Sequence, residues 1–380
     1  MAVYNATPHH TTPHHTTLLP KIRVACIYQG IPAPEWVTRT LCLGNPDILS
    51  RFVRDDDNPD YVIATDMCLC SRNDCLKLKH YLRNNKDSIF IFFTLECIDP
   101  DLNIFDYVFT WNPDLVCGDR VIHNVPEVYR HRKVYEAESF PREEAMKILE
   151  GSPNFCNFIY SHPSEHRDTF FRLLSKYRRV DSLGACLNNT GTKSTRNAPN
   201  FYGLSIEMKK GYKFSIAMEN SSSKGYTTEK IISSLQAHTV PIYWGDPAVT
   251  EYINPAAIIN CNDYSSFDEV VERVKEVDSN DELWLDMVTQ PLQTEEQHKK
   301  TLQAVEDYSA SVRNIFSQDL REARRRPIGF YSDRFRRDFT GLIGVLPPIY
   351  VRAFRKMKRI AGKFIPASAK PAIKKFLGMD

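Results

Sequence analysis

The chain has 380 residues, of which 42% are hydrophobic and 25% charged. That balance excludes a disordered, collagen-like or coiled-coil protein, and the length suits two globular domains with extensions. The net charge of +2 hides an asymmetry: residues 321–380 carry 16 Lys and Arg against 4 Asp and Glu, so an acidic body bears a basic tail.

No apolar run reaches the roughly 18 residues that suggest a membrane-spanning helix, and no basic-then-apolar leader opens the sequence. The 10 cysteines are therefore expected to be reduced thiols of a cytoplasmic protein. Cys68, Cys70 and Cys75 form one cluster, but its spacing matches no zinc pattern. Residues 7–16 repeat Thr-Pro-His-His-Thr twice, which predicts a disordered extension over residues 1–17.

Ordered sequence starts near Leu18. Ile22–Tyr28, Tyr61–Thr65, Ile89–Phe93 and Tyr107–Phe109 read as short apolar strands, with a helical stretch over Leu76–Asn84. A second series follows Gly151. It has strands at Asn157–Tyr160, Phe214–Ala217, Val240–Trp244 and Ala257–Asn260, and helices at Glu165–Lys176, Glu229–His238 and Phe267–Val277. Apolar strands alternating with helices predict parallel sheets covered on both faces. The boundary between the two α/β units falls at 140–155, and a cleft between them is the expected ligand site.

The chemistry concentrates in Phe214–Pro247. A strand ends at Glu219-Asn220, a loop with Ser221–Ser223 and Gly225 follows, and a helix opens at Thr228-Glu229-Lys230. A Ser/Gly loop entering a helix offers backbone N–H groups and the positive end of a dipole, and Lys230 adds a full charge, as a diphosphate site requires. The same stretch also reads as an ordinary helix capped by Thr227 or Thr228. Asn220 is one of three glycosylation sequons, with Asn5 and Asn188, and a glycan inside this motif would be harmful. Asp55-Asp56-Asp57 reads as a turn, and Asp99-Pro-Asp101 is the other acidic pair capable of holding a divalent cation.

Glu219-Asn220, Gly225-Tyr226-x-Thr228-Glu229-Lys230-Ile231-Ile232 and Pro241-Ile242-Tyr243-Trp244-Gly245 resemble the hallmark region of the α-1,3/4-fucosyltransferases, glycosyltransferase family 10. The likeness continues through Asn260 and Phe267-Asp268-Glu269, and is strong over residues 154–292. The resemblance implies a GT-B architecture, two Rossmann-like domains facing across a cleft, here with a basic helical C-terminal tail. The expected organisation is an extension at 1–17, an acceptor domain at 18–150, a GDP-fucose-binding domain at 151–320 and the tail at 321–380.

It further implies GDP-fucose as donor, inversion at the sugar carbon and no obligatory metal; Mn2+ is not expected to be required. By position, Lys230 and Arg167 look like the family's diphosphate contacts, while Glu229, Asn220 and Tyr226 match its donor pocket. Glu96, in Phe93-Thr-Leu-Glu96-Cys, looks like the catalytic glutamate, although Leu95, Cys97 and Met218 depart from the usual neighbours. The implied function is transfer of fucose from GDP-fucose to a glycan containing N-acetylglucosamine. The alternative is a GT-B enzyme with another nucleotide sugar or acceptor.

In the tail, Phe354, Met357, Ala361 and Phe364 share a helical face among Arg352, Arg355, Lys356, Lys358, Arg359 and Lys363. A basic amphipathic helix suits an anionic membrane surface, which predicts peripheral association. Packing of the tail across the domains is the competing reading. No aromatic and glycine pattern of an RNA-binding module accompanies the charge, so nucleic acid is not an expected partner.

Overall fold

The structure is a computed structural model that describes residues 20–28, 35–66, 72–130, 140–192, 198 and 200–342. The Thr-Pro-His-His repeat, Cys68, Cys70 and the amphipathic segment around Phe354 lie outside the described residues.

Two all-parallel sheets form the frame. The first contains β1 (Ile22–Ile27), β2 (Phe52–Arg54), β3 (Tyr61–Thr65), β4 (Ile89–Phe93), β5 (Tyr107–Thr110) and β6 (Val121–His123), in the order β2-β1-β3-β4-β5-β6. The second contains β7 (Asn154–Phe158), β8 (Val180–Ser182), β9 (Tyr212–Met218), β10 (Val240–Trp244) and β11 (Ile259–Asn260), in the order β11-β10-β9-β7-β8. The two α/β units expected from the sequence are present. The short edge strands β2, β6 and β8 have too few apolar residues to be read from sequence, and Ala257 belongs to a turn of 3-10 helix before β11.

The central strands are apolar throughout because both faces are covered. In β4, Ile89, Ile91 and Phe93 pack on one side with Tyr308, Val312 and Phe316, while Phe90 and Phe92 pack on the other with Leu78 and Tyr81. This is the two-residue alternation of a strand seen from its two faces. Burying each such side chain contributes about 1.5–3 kcal/mol. In the second domain, Phe214, Ile216 and Met218 face Phe170, Leu174 and Val270, whereas Ala217 and Tyr243 face Ile231 and Ile232.

Residues 142–150, placed by the sequence in the first unit, form a helix whose Ala145 joins the second core. The helix Glu295–Ser317 moves the other way. Thr294 and Gln297 build a capping box at its start, and the Gln297 amide donates to Thr250 and Ile253 of the second domain. Its far end buries Val312, Ile315 and Phe316 on the first sheet.

The start of the basic tail continues this return. Arg326 is buried and pairs with the buried Asp106 while its ring-facing side lies 4.6 Å from the Phe90 ring. Arg325 reaches Asp119 at 2.7 Å. The boundary at 320 is thus not a structural one: residues 305–326 belong to the packing of the first domain.

In each sheet the strand order reverses, between β1 and β3 and between β7 and β9. Ligands of open α/β sheets sit beyond the carboxyl ends of strands at such points. Met218, Glu219 and Asn220 leave β9 there, and Leu95 and Glu96 follow the end of β4.

Candidate active site

A cleft of about 390 Å³ separates the domains, within the range of small-molecule sites. Thr94, Glu96 and Trp111 line it from the first domain, and Asn220, Tyr226 and Lys230 from the second.

The second-domain wall is organised by one buried carboxylate. Glu219 is fully buried, and its Oε1 accepts from the Thr228 backbone N–H at 2.8 Å and from the Thr228 hydroxyl at 2.9 Å. Its Oε2 lies 3.0 Å from Lys230 Nζ, and Lys230 also reaches Glu229 Oε1 at 3.3 Å. Burial pushes the Glu219 carboxyl up, and Lys230 and Thr228 oppose it. Burial works against the Lys230 ammonium, but Glu219 and then Glu229 hold its pKa above the ordinary lysine range. The lysine side chain is 26% exposed toward the cleft.

Thr228 caps the helix Glu229–Gln236 by backbone geometry, without a side-chain capping bond. The loop amides expected to cradle a diphosphate are used internally. Gly225 N–H donates to Asp246 Oδ1 at 2.8 Å, Tyr226 to the Ser223 carbonyl, Thr227 to the Gly225 carbonyl and Thr228 to Glu219. Backbone amides at 225–228 thus satisfy the protein itself, and Lys230 is the cation this wall presents to an anion.

Asp246 is the organiser that sequence reasoning missed. It is buried, ties Gly225 and Ala248 through Oδ1 and accepts from the Thr227 hydroxyl at 2.9 Å. The signal was in the sequence: Gly245-Asp246-Pro247 directly follows the buried strand β10. Gly245 must lack a side chain, since a Cβ there would strike Glu219.

Arg167 does not line the cleft. It is buried, donates twice to the Met218 carbonyl, at 2.6 and 3.2 Å, and has no carboxylate at ion-pair distance among the described residues. Burial lowers its pKa. His166, beside it, meets the Trp244 ring at a tilt with centroids 4.1 Å apart and bonds the Glu219 carbonyl at 3.0 Å. The helix Glu165–Tyr177 therefore braces the end of β9 from behind and adds an unpaired positive charge there.

Glu96 stands across the cleft. Its carbonyl accepts from Trp111 Nε1 at 2.7 Å and from the Thr94 hydroxyl at 2.8 Å. Its Oε2 accepts from the Tyr226 hydroxyl at 3.0 Å and from the Asn220 amide at 3.1 Å. Of the six residues singled out from the sequence, Glu96, Asn220, Tyr226, Glu229 and Lys230 converge on one cleft, and Arg167 lies behind it. Among the described residues no group of three His, Cys, Asp or Glu has the arrangement of a metal site.

Two parallel-sheet Rossmann-like domains meeting at this cleft form a GT-B architecture. The fold matches that of a solved alpha1,3-fucosyltransferase with a TM-score of 0.61 at 21% identity, covering 85% of this chain and 97% of that one. A structure described as alpha1,3-fucosyltransferase with GDP-fucose matches with a TM-score of 0.56 at 22% identity, over 80% and 94% of the two chains.

Residues 154–308 match the family model Glycosyltransferase family 10 (fucosyltransferase) C-term. The chain is 30% identical over 237 residues to the alpha-(1,3)-fucosyltransferase FucT of Helicobacter pylori, 54% of this chain and 47% of that protein. It is also 30% identical over 161 residues to GDP-fucose protein O-fucosyltransferase 3 of Homo sapiens, 40% of this chain and 33% of that one. The chain thus spans less than half the length of these relatives.

Proposed function

We propose that the chain is an inverting α-1,3-fucosyltransferase that moves fucose from GDP-fucose to a glycan containing N-acetylglucosamine. The observation that carries this reading is the opposition of Glu96 and Lys230 across one cleft. The acceptor hydroxyl attacks the fucose anomeric carbon from the face opposite GDP. The new C–O bond forms as the bond to the diphosphate breaks, through an oxocarbenium-like transition state. Glu96 takes the acceptor proton. Lys230 and the first turn of its helix receive the charge that grows on the diphosphate. Glu229, one residue before Lys230, is assigned to the donor hydroxyls. Arg167 acts from behind β9, by its positive charge and its hold on Met218.

In this reading Mn2+ is not required and the enzyme works in the cytoplasm. Its basic tail rests on an anionic membrane. Exposed Ile328, Phe330 and Tyr331 at the start of the last described helix support that placement, and co-sedimentation with anionic against neutral vesicles tests it. A second acceptor reading, a protein hydroxyl, is supported by the similarity to protein O-fucosyltransferase 3.

Calorimetric titration with GDP and GDP-fucose, with and without Mn2+, followed by transfer to N-acetyllactosamine and to peptide acceptors, tests the whole proposal. Metal-free binding and glycan fucosylation support it. Transfer to peptide alone selects the second reading. A folded protein that binds neither nucleotide overturns both.

A further inference from the structure

The segment that carries Glu96 is tied down from within its own domain. Strands β3, β4, β5 and β6 lie side by side and parallel, so their carboxyl ends form one row. The residues directly after these strands are Asp66, Thr94, Trp111 and Asn124. The side chain of each bonds the backbone of residues 94–96. Asp66 Oδ1 accepts from the Leu95 N–H at 3.2 Å, and Asn124 Nδ2 donates to the Thr94 carbonyl at 2.8 Å. The Glu96 carbonyl accepts from the Trp111 indole N–H at 2.7 Å and the Thr94 hydroxyl at 2.8 Å, and also from the Ile98 N–H at 2.8 Å.

This bracket is more than a loop needs to satisfy its backbone. A carbonyl oxygen has two lone pairs, and that of Glu96 takes three donors. Thr94 is fully buried, and its N–H extends the ladder to the Phe109 carbonyl. Asn124 spends its side chain on the one bond to Thr94: its Oδ1 is buried and has no hydrogen-bond partner among the described residues. A buried unpaired oxygen costs stability, so the amide serves the position of Thr94 more than the fold.

We infer that Asp66, Thr94, Trp111 and Asn124 are positioning residues for the reaction: together they fix the backbone of Glu96 so that its carboxylate stands in the cleft where the acceptor hydroxyl arrives. The inference rests on Glu96 being the base, as proposed above. A base must come within about 2.6–3.2 Å of the group whose proton it takes. Glu96 follows its strand rather than lying in it, so that precision comes from the bonds that support the loop. All four side chains belong to the first domain, and the bracket is separate from the contacts the second domain makes with the donor.

The test uses the full chain with Thr94→Val, Thr94→Ser and Asn124→Leu. Thr94→Val keeps the volume and strands no acceptor, because the Glu96 carbonyl retains Trp111 and Ile98. Loss of one hydrogen bond predicts a fall in kcat of about 3- to 10-fold in Thr94→Val and in Asn124→Leu. The Kd for GDP should stay within twofold of wild type, and amide exchange over residues 95–98 should accelerate in both. Thr94→Ser keeps the hydroxyl and should restore both kcat and exchange. Unchanged kcat in Thr94→Val and Asn124→Leu overturns the inference. So does a loss in Thr94→Ser equal to that in Thr94→Val, which would make the methyl group's packing the cause. If wild type itself transfers no fucose to glycan or peptide, the functional proposal fails and the inference with it; unchanged kcat in variants of an active wild type removes the inference alone.

Discussion

Replacing Lys230 by alanine separates the two tasks of this side chain. It removes the cation 3.0 Å from the fully buried Glu219 and the cation this wall offers to an anion. Stranding one partner of a fully buried pair costs about 3–5 kcal/mol. Lys230 is 26% exposed and Glu219 keeps its bonds from Thr228, so the expected loss is smaller, about 2 kcal/mol. The loss depends on pH with a definite sign. Burial already raises the Glu219 carboxyl in the wild type, and without Lys230 it rises further. A carboxyl with a raised folded pKa costs nothing below its unfolded value, and its cost is complete once the pH exceeds its folded value. The variant should therefore fall further below wild type in melting temperature at pH 8 than at pH 5. Its affinity for GDP should drop by about 10- to 100-fold, the equivalent of a lost hydrogen bond to a charged group. Thermal unfolding across pH and calorimetry with GDP read the two effects. Unchanged GDP affinity in a folded Lys230→Ala protein would refute the placement of the diphosphate.

Glu96→Gln should reduce kcat by about 100- to 10,000-fold, the usual contribution of a general base, while GDP titration stays as in wild type. Gly225→Ala places a Cβ against Trp111 at a positive φ, costing about 1–3 kcal/mol; a lowered melting temperature together with reduced turnover is expected. Lys209 is buried beneath the Lys230 helix, donating to the Ser233 and Ser234 hydroxyls and the Lys230 carbonyl, and burial lowers its pKa from 10.5 to about 7. A lysine with a depressed folded pKa binds fewer protons folded than unfolded between those values, so wild type should gain stability as pH rises from 7 toward 10. Lys209→Met should flatten that rise, measured by urea unfolding at pH 7 and 9.

Strands β3, β4 and β10 were legible residue by residue because a strand buried on both faces must be apolar throughout. The helix Phe267–Asp278 was legible because its valines recur at helical spacing. Strand β8 was not, since Val180-Asp-Ser is buried by its neighbours rather than by its own apolarity. The long helix Glu295–Ser317 escaped for a related reason. Its buried face runs from Gln297 and Thr301 in one domain to Tyr308, Val312 and Ile315 in the other, and the polar start of that face hides it from a reading of apolar periodicity.

The sequence by itself determined the two α/β units, the resemblance to family 10 and the identity of the charged groups that converge on the cleft. These follow from local periodicity and from residue types at close spacing. Tertiary structure decided what those groups do. Glu219 became the buried organiser of Thr228 and Lys230, the amides of 225–228 were consumed internally, and Arg167 turned inward to Met218. Asn220 and Tyr226 turned outward to Glu96, more than a hundred residues away in sequence. A hydrogen bond depends on where two groups lie in space, and the faces that bring them together come from two separately folded sheets.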